Sequence, residues 1–224
     1  MISYILKNKI LLLYFVSSCI IVLLFSERSD IISSHSSMTI ICAYIPFLIL
    51  AICSQQKFFL EYPFLIRYTS IKRLFFYKHL HMIFIVFVYW SVPAIITIVF
   101  SIFQEYFLNL LIVLCNELLT FMLLGELCLL LLAFFRRTIL AVIVLVCILA
   151  IDLASLQGIL QTRYLFLVES IAYSYNVIEA GTPYVYLNSF TISTVIKTSL
   201  LFALNYSKGN GLLPFKEKDY VYDK

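Results

Sequence analysis

Residues 107–155 run FLNLLIVLCNELLTFMLLGELCLLLLAFF-RR-TILAVIVLVCILAIDLAS, two long apolar stretches separated only by Arg136 and Arg137. A helix crosses the roughly 30 Å hydrocarbon core of a bilayer with about 20 apolar residues, and each stretch is close to that length or longer. Short loops rich in Lys and Arg stay on the cytoplasmic side. The segment therefore predicts two membrane spans joined by a tight cytoplasmic loop.

The composition of the whole chain agrees with this prediction. Of its 224 residues, 63% are hydrophobic and only 12% are charged, whereas a typical soluble domain has about 25% charged residues. A soluble core could not hide that much apolar surface, so lipid must be the main solvent. The net charge of +4 indicates topology and contact with anionic lipid, not nucleic-acid binding.

Six apolar runs predict six transmembrane helices. They cover residues 10–25, 38–54, 81–103, 107–135, 138–155 and 187–206. The first run resembles a signal peptide, but no small-residue cleavage site follows it, so we expect it to be retained as a span. The fourth run is too long for an upright span. Either it tilts, or residues 107–116 form a separate interfacial piece.

Basic residues fall in alternate gaps between these runs. Thirteen of the 16 Lys and Arg residues lie before the first run, between the second and third, between the fourth and fifth, or after the last. This bias predicts that both termini and residues 55–80 are cytoplasmic, and that residues 27–37 and 156–186 face outward. The predicted fold is an all-α, polytopic membrane protein, one domain over residues 1–224 with six transmembrane helices and N-in/C-in topology.

The outer gap at residues 156–186 is long but not hydrophilic. Within it, residues 158–173 are too few and too polar to span a bilayer. They predict a helix that either lies at the outer leaflet or dips into it as a re-entrant segment.

The inner gap contains a predicted amphipathic helix at residues 63–78 that leads into the third span. Pro63 suits the first turn of a helix, where its missing N–H is not needed. Apolar side chains recur on one side of this helix, at Phe64, Tyr68, Ile71 and Phe75. The stripe either lies on anionic lipid or docks on a cytoplasmic partner.

Ionisable residues inside the apolar runs are the next clue, because a charge in lipid is costly. Glu117, Glu126 and Lys197 lie within spans, whereas Asp152 is near the outer end of its span and is expected to be interfacial. The deep residues predict either structural ion pairs or a polar patch that lines a substrate path.

Counting along the helices suggests a pairing for two of these charges. Glu126 is ten residues from Arg136, and Lys197 is eleven from Lys208. At 1.5 Å per residue both lie about 15 Å from the inner boundary. We therefore predict that Glu126 pairs with Lys197, within one chain or across two subunits.

No catalytic set is visible in the sequence. His35 lies in an outer loop and His79 and His81 lie at the inner mouth of the third span; their spacing does not fit a metal-binding H-E-x-x-H helix, and we expect interfacial roles. The six cysteines all lie in apolar runs and are expected to pack as small hydrophobes. A phosphate-binding glycine loop is also missing. We expect no catalytic residue, no metal and no cofactor, and any ATPase would be a separate chain.

The chain resembles ABC-2-type transporter permeases in its six-span layout and its semi-apolar outer gap. The segment Arg67-Tyr68-Thr69-Ser70 with its following basic and aromatic residues, and the tail Phe215-Lys216-Glu217-Lys218-Asp219, are also similar to that family. The chain departs from it where many members have a tryptophan, because Leu74 and Phe75 stand there instead.

The resemblance implies that the inner gap holds a coupling helix in a groove of an ABC-type ATPase subunit. The contact residues it implies are Arg67, Tyr68, Ser70, Lys72 and Arg73. It also implies that two permease chains, identical or different, pair in the membrane and that re-entrant helices from the outer gap cap their shared path.

The implied function is that of a permease subunit in the bacterial plasma membrane. Small subunits of this composition resemble Gram-positive exporters of amphipathic peptides, bacteriocins or lantibiotics, including self-protection systems. One alternative is a stand-alone membrane immunity or sensor protein without transport activity. A second is an intramembrane enzyme, which the missing catalytic set disfavours.

Overall fold

The computed structural model describes residues 9–26, 31–60, 71–102, 107–135, 138–159, 166–172 and 184–209. Regular structure within those ranges is entirely helical. The elements are α1 (Lys9–Ser26), a 3₁₀ turn (Ile31–His35), α2 (Ser37–Thr39), a π turn (Ile40–Tyr44), α3 (Ile45–Leu60), α4 (Ile71–Ser101), α5 (Phe107–Phe135), α6 (Thr138–Leu156) and α7 (Tyr184–Gly209).

Four helices in the described part of the chain are long and apolar enough to cross a membrane. They are Ser37–Ser54, Phe75–Ser101, Asn109–Phe135 and Thr138–Leu156, and a shorter apolar helix covers Leu11–Leu24. The predicted all-α fold is thus confirmed for the described residues, and the second to fifth predicted spans coincide with helices able to cross a membrane. The helices α1 and α7 lie where the first and sixth spans are predicted, but the count of six and the topology stay predictions.

The predicted span at residues 107–135 is one continuous helix, so its first ten residues are not a separate piece. At 1.5 Å per residue, the 29 residues of α5 extend about 43 Å, well beyond the hydrocarbon core. Such a helix must tilt or project from the bilayer.

Proline shapes the helix that follows the 3₁₀ turn. Pro46 has no N–H to continue the usual ladder of hydrogen bonds. Just before it, the Ile45 N–H donates to the Ile40 carbonyl, five residues back, and the chain forms the π turn. The helix therefore has a widened turn just before this proline.

Helix α5 is the centre of the bundle and contacts α3, α4, α6, α7 and the 3₁₀ turn. Gly125 permits the close approach of α4, because a Cβ atom at this position would lie 2.5 Å from Met82 Sδ and 3.2 Å from Val86 Cγ2. Small residues let membrane helices pack closely in this way.

Helix α6 lies at the edge of the bundle. Its buried residues form one stripe, Ala141, Leu145, Leu149 and Asp152. The opposite side exposes large aliphatic side chains, among them Ile139, Ile143, Val146 and Ile151. This wholly apolar exposed face is what contact with lipid tails requires.

Candidate functional site: a polar seam along α5

Helices α5 and α7 lie side by side and run in the same direction. Thr191 Oγ1 donates to Asn116 Oδ1 at 2.8 Å, and further along both helices Asn205 Nδ2 donates to Glu126 Oε2 at 2.8 Å. These two contacts mark the ends of a line of polar side chains, which we call the seam.

One end of the seam is built around Glu126, which is buried. Its Oε2 atom lies 3.2 Å from His79 Nε2 and also accepts the hydrogen bond from Asn205. His79 Nδ1 must donate its hydrogen to the Phe75 carbonyl, 3.0 Å away, since a carbonyl only accepts. One further proton between Nε2 and Oε2 makes the pair neutral overall. The contact therefore removes the penalty of a lone carboxylate in lipid.

Aromatic rings enclose this histidine. The His79 ring lies over Phe75 with centroids 3.9 Å apart, and it meets Phe202 edge-on at 5.3 Å. Phe75 also packs against Tyr206 at 5.3 Å. Ring faces stabilise a positively charged imidazolium, and the same contacts fasten the start of α4 to the end of α7.

The middle of the seam contains an ion pair between Lys197 Nζ and Glu169 Oε2. Ser193 Oγ donates to the same carboxylate oxygen at 3.3 Å, and the ammonium group lies 5.6 Å from the centroid of Phe166. Both charged side chains are 22% exposed. The seam thus contains a charged pair, formed by Lys197 of α7 with Glu169, between the levels of Asn116 and Glu126.

The predicted pairing of Glu126 with Lys197 is wrong. The residue of α7 that meets Glu126 is Asn205, eight residues after Lys197. Eight residues of helix correspond to about 12 Å. The prediction assumed that Lys208 marks the inner boundary of the membrane. The contact of α7 with Glu126 falls instead at Asn205, only three residues before Lys208.

Asp152 holds the segment that supplies Glu169. Its carboxylate accepts hydrogen bonds from three successive backbone amides, those of Phe166, Leu167 and Val168, at 2.9, 2.7 and 3.3 Å. Asp152 is 1% exposed. It therefore anchors a turn of backbone inside the bundle, and its interfacial depth stays a prediction.

Residues 166–172 are buried among the helices. Leu167, Val168 and Ile171 are fully buried, and Ser170 Oγ lies 3.3 Å from Thr120 Oγ1 on α5. Residues 166–172 of the predicted outer helix thus pack within the bundle, and the re-entrant and interfacial alternatives both stay predictions. The rest of that prediction lies outside the described residues.

Glu117 meets a histidine as well. Its Oε2 atom lies 2.6 Å from His35 Nδ1, and His35 Nε2 lies 2.7 Å from Thr97 Oγ1. All three side chains are fully buried. His35 and His79, which the sequence predicted to be interfacial, are buried within the bundle, and each hydrogen-bonds to a carboxylate on α5. The sequence did contain a signal for these two contacts. Glu117 and Glu126 are carboxylates in an apolar run, and each needs a cationic or hydrogen-bonding partner in lipid.

The structure describes only some of the predicted ATPase-contact residues. Lys72 and Arg73 lie in the first turn of α4, without described side chains, while Arg67, Tyr68 and Ser70 lie outside the described residues. Residues 71–78 are helical, as predicted. Phe75, which the stripe assigned to an exposed docking face, packs within the chain.

Comparison of the chain with family models, curated proteins and solved structures found no match. The fold and the site define a helical membrane protein with a line of polar and charged side chains through its centre.

Proposed function

We propose that this chain is the transmembrane permease subunit of an ATP-driven ABC exporter in a bacterial plasma membrane. It pairs with a separate ATPase chain and with a second permease chain, and it moves amphipathic peptides or bacteriocin-like compounds. The resemblance in layout supports the class of transporter, and the seam supports a path for polar groups through the membrane.

The observation that carries the proposal is the partly exposed ion pair of Glu169 and Lys197 in the middle of the seam. Ionisable side chains within the membrane face the interior of a bundle or a water-filled cavity, because contact with lipid tails is costly. The exposed face of α6 is wholly aliphatic by comparison. The exposed side of the pair is therefore expected to face water or another protein chain.

A second permease chain supplies the missing wall of such a path. One copy leaves Ser193 and Lys197, one turn apart on α7, at its surface. Two copies, or one copy and a related chain, enclose a path between their α7 helices. The substrate then passes between chains, while the packed interior of each bundle stays closed.

Co-expression and co-purification with a candidate ABC-type ATPase chain tests this proposal. We expect a complex with two permease chains and two ATPase chains, and substrate-stimulated ATP hydrolysis after reconstitution into lipid vesicles. Lys197→Met should reduce transport strongly, whereas Val146→Ala on the lipid-facing side of α6 should leave it unchanged.

A chain that purifies without any ATPase and still protects cells from a membrane-active peptide would contradict the proposal. That result would favour a stand-alone immunity protein. A complex with one permease chain per two ATPase chains would contradict the shared path.

A further inference from the structure

A second polar group lies around Glu117 and is independent of the permease proposal. Tyr14 and Ser18 come from α1, Tyr44 from the π turn and Glu117 from α5. Their relative exposures are 0%, 0%, 1% and 0%. Four polar side chains from three distant parts of the sequence therefore lie deep in the bundle.

Each of these side chains has an oxygen atom without a hydrogen-bond partner among the described residues. The atoms are Tyr14 Oη, Ser18 Oγ, Tyr44 Oη and Glu117 Oε1. Burying a polar group without a partner is unfavourable, and buried polar groups in proteins are almost always satisfied. Four such atoms in one region point to a bound partner of small size.

The four groups are neighbours. The rings of Tyr14 and Tyr44 meet edge-on with centroids 6.0 Å apart. Glu117 Oε2 lies 2.6 Å from His35 Nδ1, the His35 ring lies 6.0 Å from that of Tyr44 between centroids, and Ser18 follows Tyr14 by one turn of α1. A single small ion or a water molecule is a partner of the size that neighbouring side-chain oxygens can surround.

The hydrogen bonds of His35 are compatible with an ionised Glu117. A neutral imidazole satisfies both of its contacts, because Nδ1–H donates to Glu117 Oε2 and Nε2 accepts from the Thr97 hydroxyl. In that arrangement the group carries one negative charge and offers only oxygen atoms.

We propose that Glu117 Oε1 and the hydroxyl oxygens of Tyr14, Ser18 and Tyr44 bind one monovalent alkali-metal cation. Carboxylate and other oxygen ligands suit hard cations. A single positive charge matches the single carboxylate, whereas a divalent ion would leave an uncompensated charge in a low-dielectric interior. A water molecule would supply hydrogen bonds to the same atoms but no charge.

Thermal unfolding of the full-length protein in detergent tests the site. The fluorescence of the single tryptophan, Trp90, whose indole N–H donates to the Leu114 carbonyl between α4 and α5, reports the transition. Sodium, potassium or lithium chloride is compared with choline chloride at fixed pH and ionic strength. We expect a saturable rise in the unfolding temperature with at least one alkali cation and none with choline, because a ligand bound only to the folded state stabilises it.

Two variants connect the effect to the site. Glu117→Gln should abolish the cation-specific shift, and Tyr44→Phe should weaken the apparent affinity about tenfold, the effect of losing one hydroxyl contact to a charged group. Tyr206→Phe, which removes a phenol hydroxyl elsewhere in the bundle, should keep the full shift. If Glu117→Gln does not fold, the comparison of the two tyrosine variants carries the test.

Three results would overturn the proposal. The first is an equal shift with choline, which indicates a general salt effect. The second is an unchanged cation response in both Glu117→Gln and Tyr44→Phe. The third is the absence of any cation-specific shift, which indicates that water alone occupies the group.

Discussion

Three carboxylates in the described bundle have partners that depth along the sequence does not reveal. Glu126 bonds to Asn205 and His79, Glu169 bonds to Lys197, and Glu117 bonds to His35. That these positions are unusual was predictable, because an ionisable residue in an apolar run must be neutralised or solvated. The identity of each partner was not, because it depends on helix rotation and on a segment, residues 166–172, that does not span.

The Glu169–Lys197 pair predicts a pattern of rescue. Lys197→Met or Glu169→Gln alone should destabilise the protein by about 1–3 kcal/mol, because each leaves one charged group without its partner. The double variant should recover much of that loss. Thermal unfolding and membrane expression levels measure both effects.

Pairing Lys197→Met with Glu126→Gln serves as the control. The losses of stability caused by these two substitutions should add, because Lys197 and Glu126 share no contact. Rescue in this control, without rescue in the Glu169 double variant, would contradict the observed pairing.

At the scale of elements, apolar length predicted the helices closely. The predicted span at residues 107–135 is helix α5 itself, and the span at residues 138–155 ends one residue before α6 does. The segment of residues 166–172 lies buried within the bundle, which the sequence pattern could not show. Its position depends on one aspartate that binds three backbone amides, and a hydrophobicity pattern cannot identify that contact.

Asp152 is therefore expected to hold this buried segment in place. Asp152→Ala removes the acceptor of three amide hydrogens and should cost about 2 kcal/mol, the upper end of the range for helix caps. In a background without native cysteines, Ser170→Cys should become more reactive toward a water-soluble maleimide when Asp152→Ala is added. Equal reactivity with and without Asp152→Ala would show that the segment does not depend on the anchor.

The approach of α4 to α5 depends on Gly125. Gly125→Leu should destabilise the protein by about 1–3 kcal/mol or more, since overpacking forces side chains and backbone to shift. Gly125→Ala should destabilise the protein less than Gly125→Leu, because the Met82 side chain is flexible. Adding Met82→Ala should reduce the remaining overpacking further. An unfolding temperature for Gly125→Leu equal to that of the natural protein would contradict this packing.

The orientation of the whole molecule in the membrane follows from its basic residues. Ser70→Cys should react with an impermeant thiol reagent only from the cytoplasmic side, and Gln157→Cys only from the outside, both in a background without native cysteines. Labelling of Ser70→Cys by the impermeant reagent in intact cells would contradict the predicted orientation.

The most direct measurement of the central claim, that the α7 ion pair faces water, is cysteine accessibility in native membranes. Ser193→Cys lies one turn from Lys197, and Val146→Cys lies on the exposed aliphatic face of α6. A thiol reacts as the thiolate, which does not form in hydrocarbon. We predict that a small cationic thiosulfonate reagent modifies Ser193→Cys and leaves Val146→Cys unmodified. Two equally unreactive cysteines would place α7 against lipid and contradict the account.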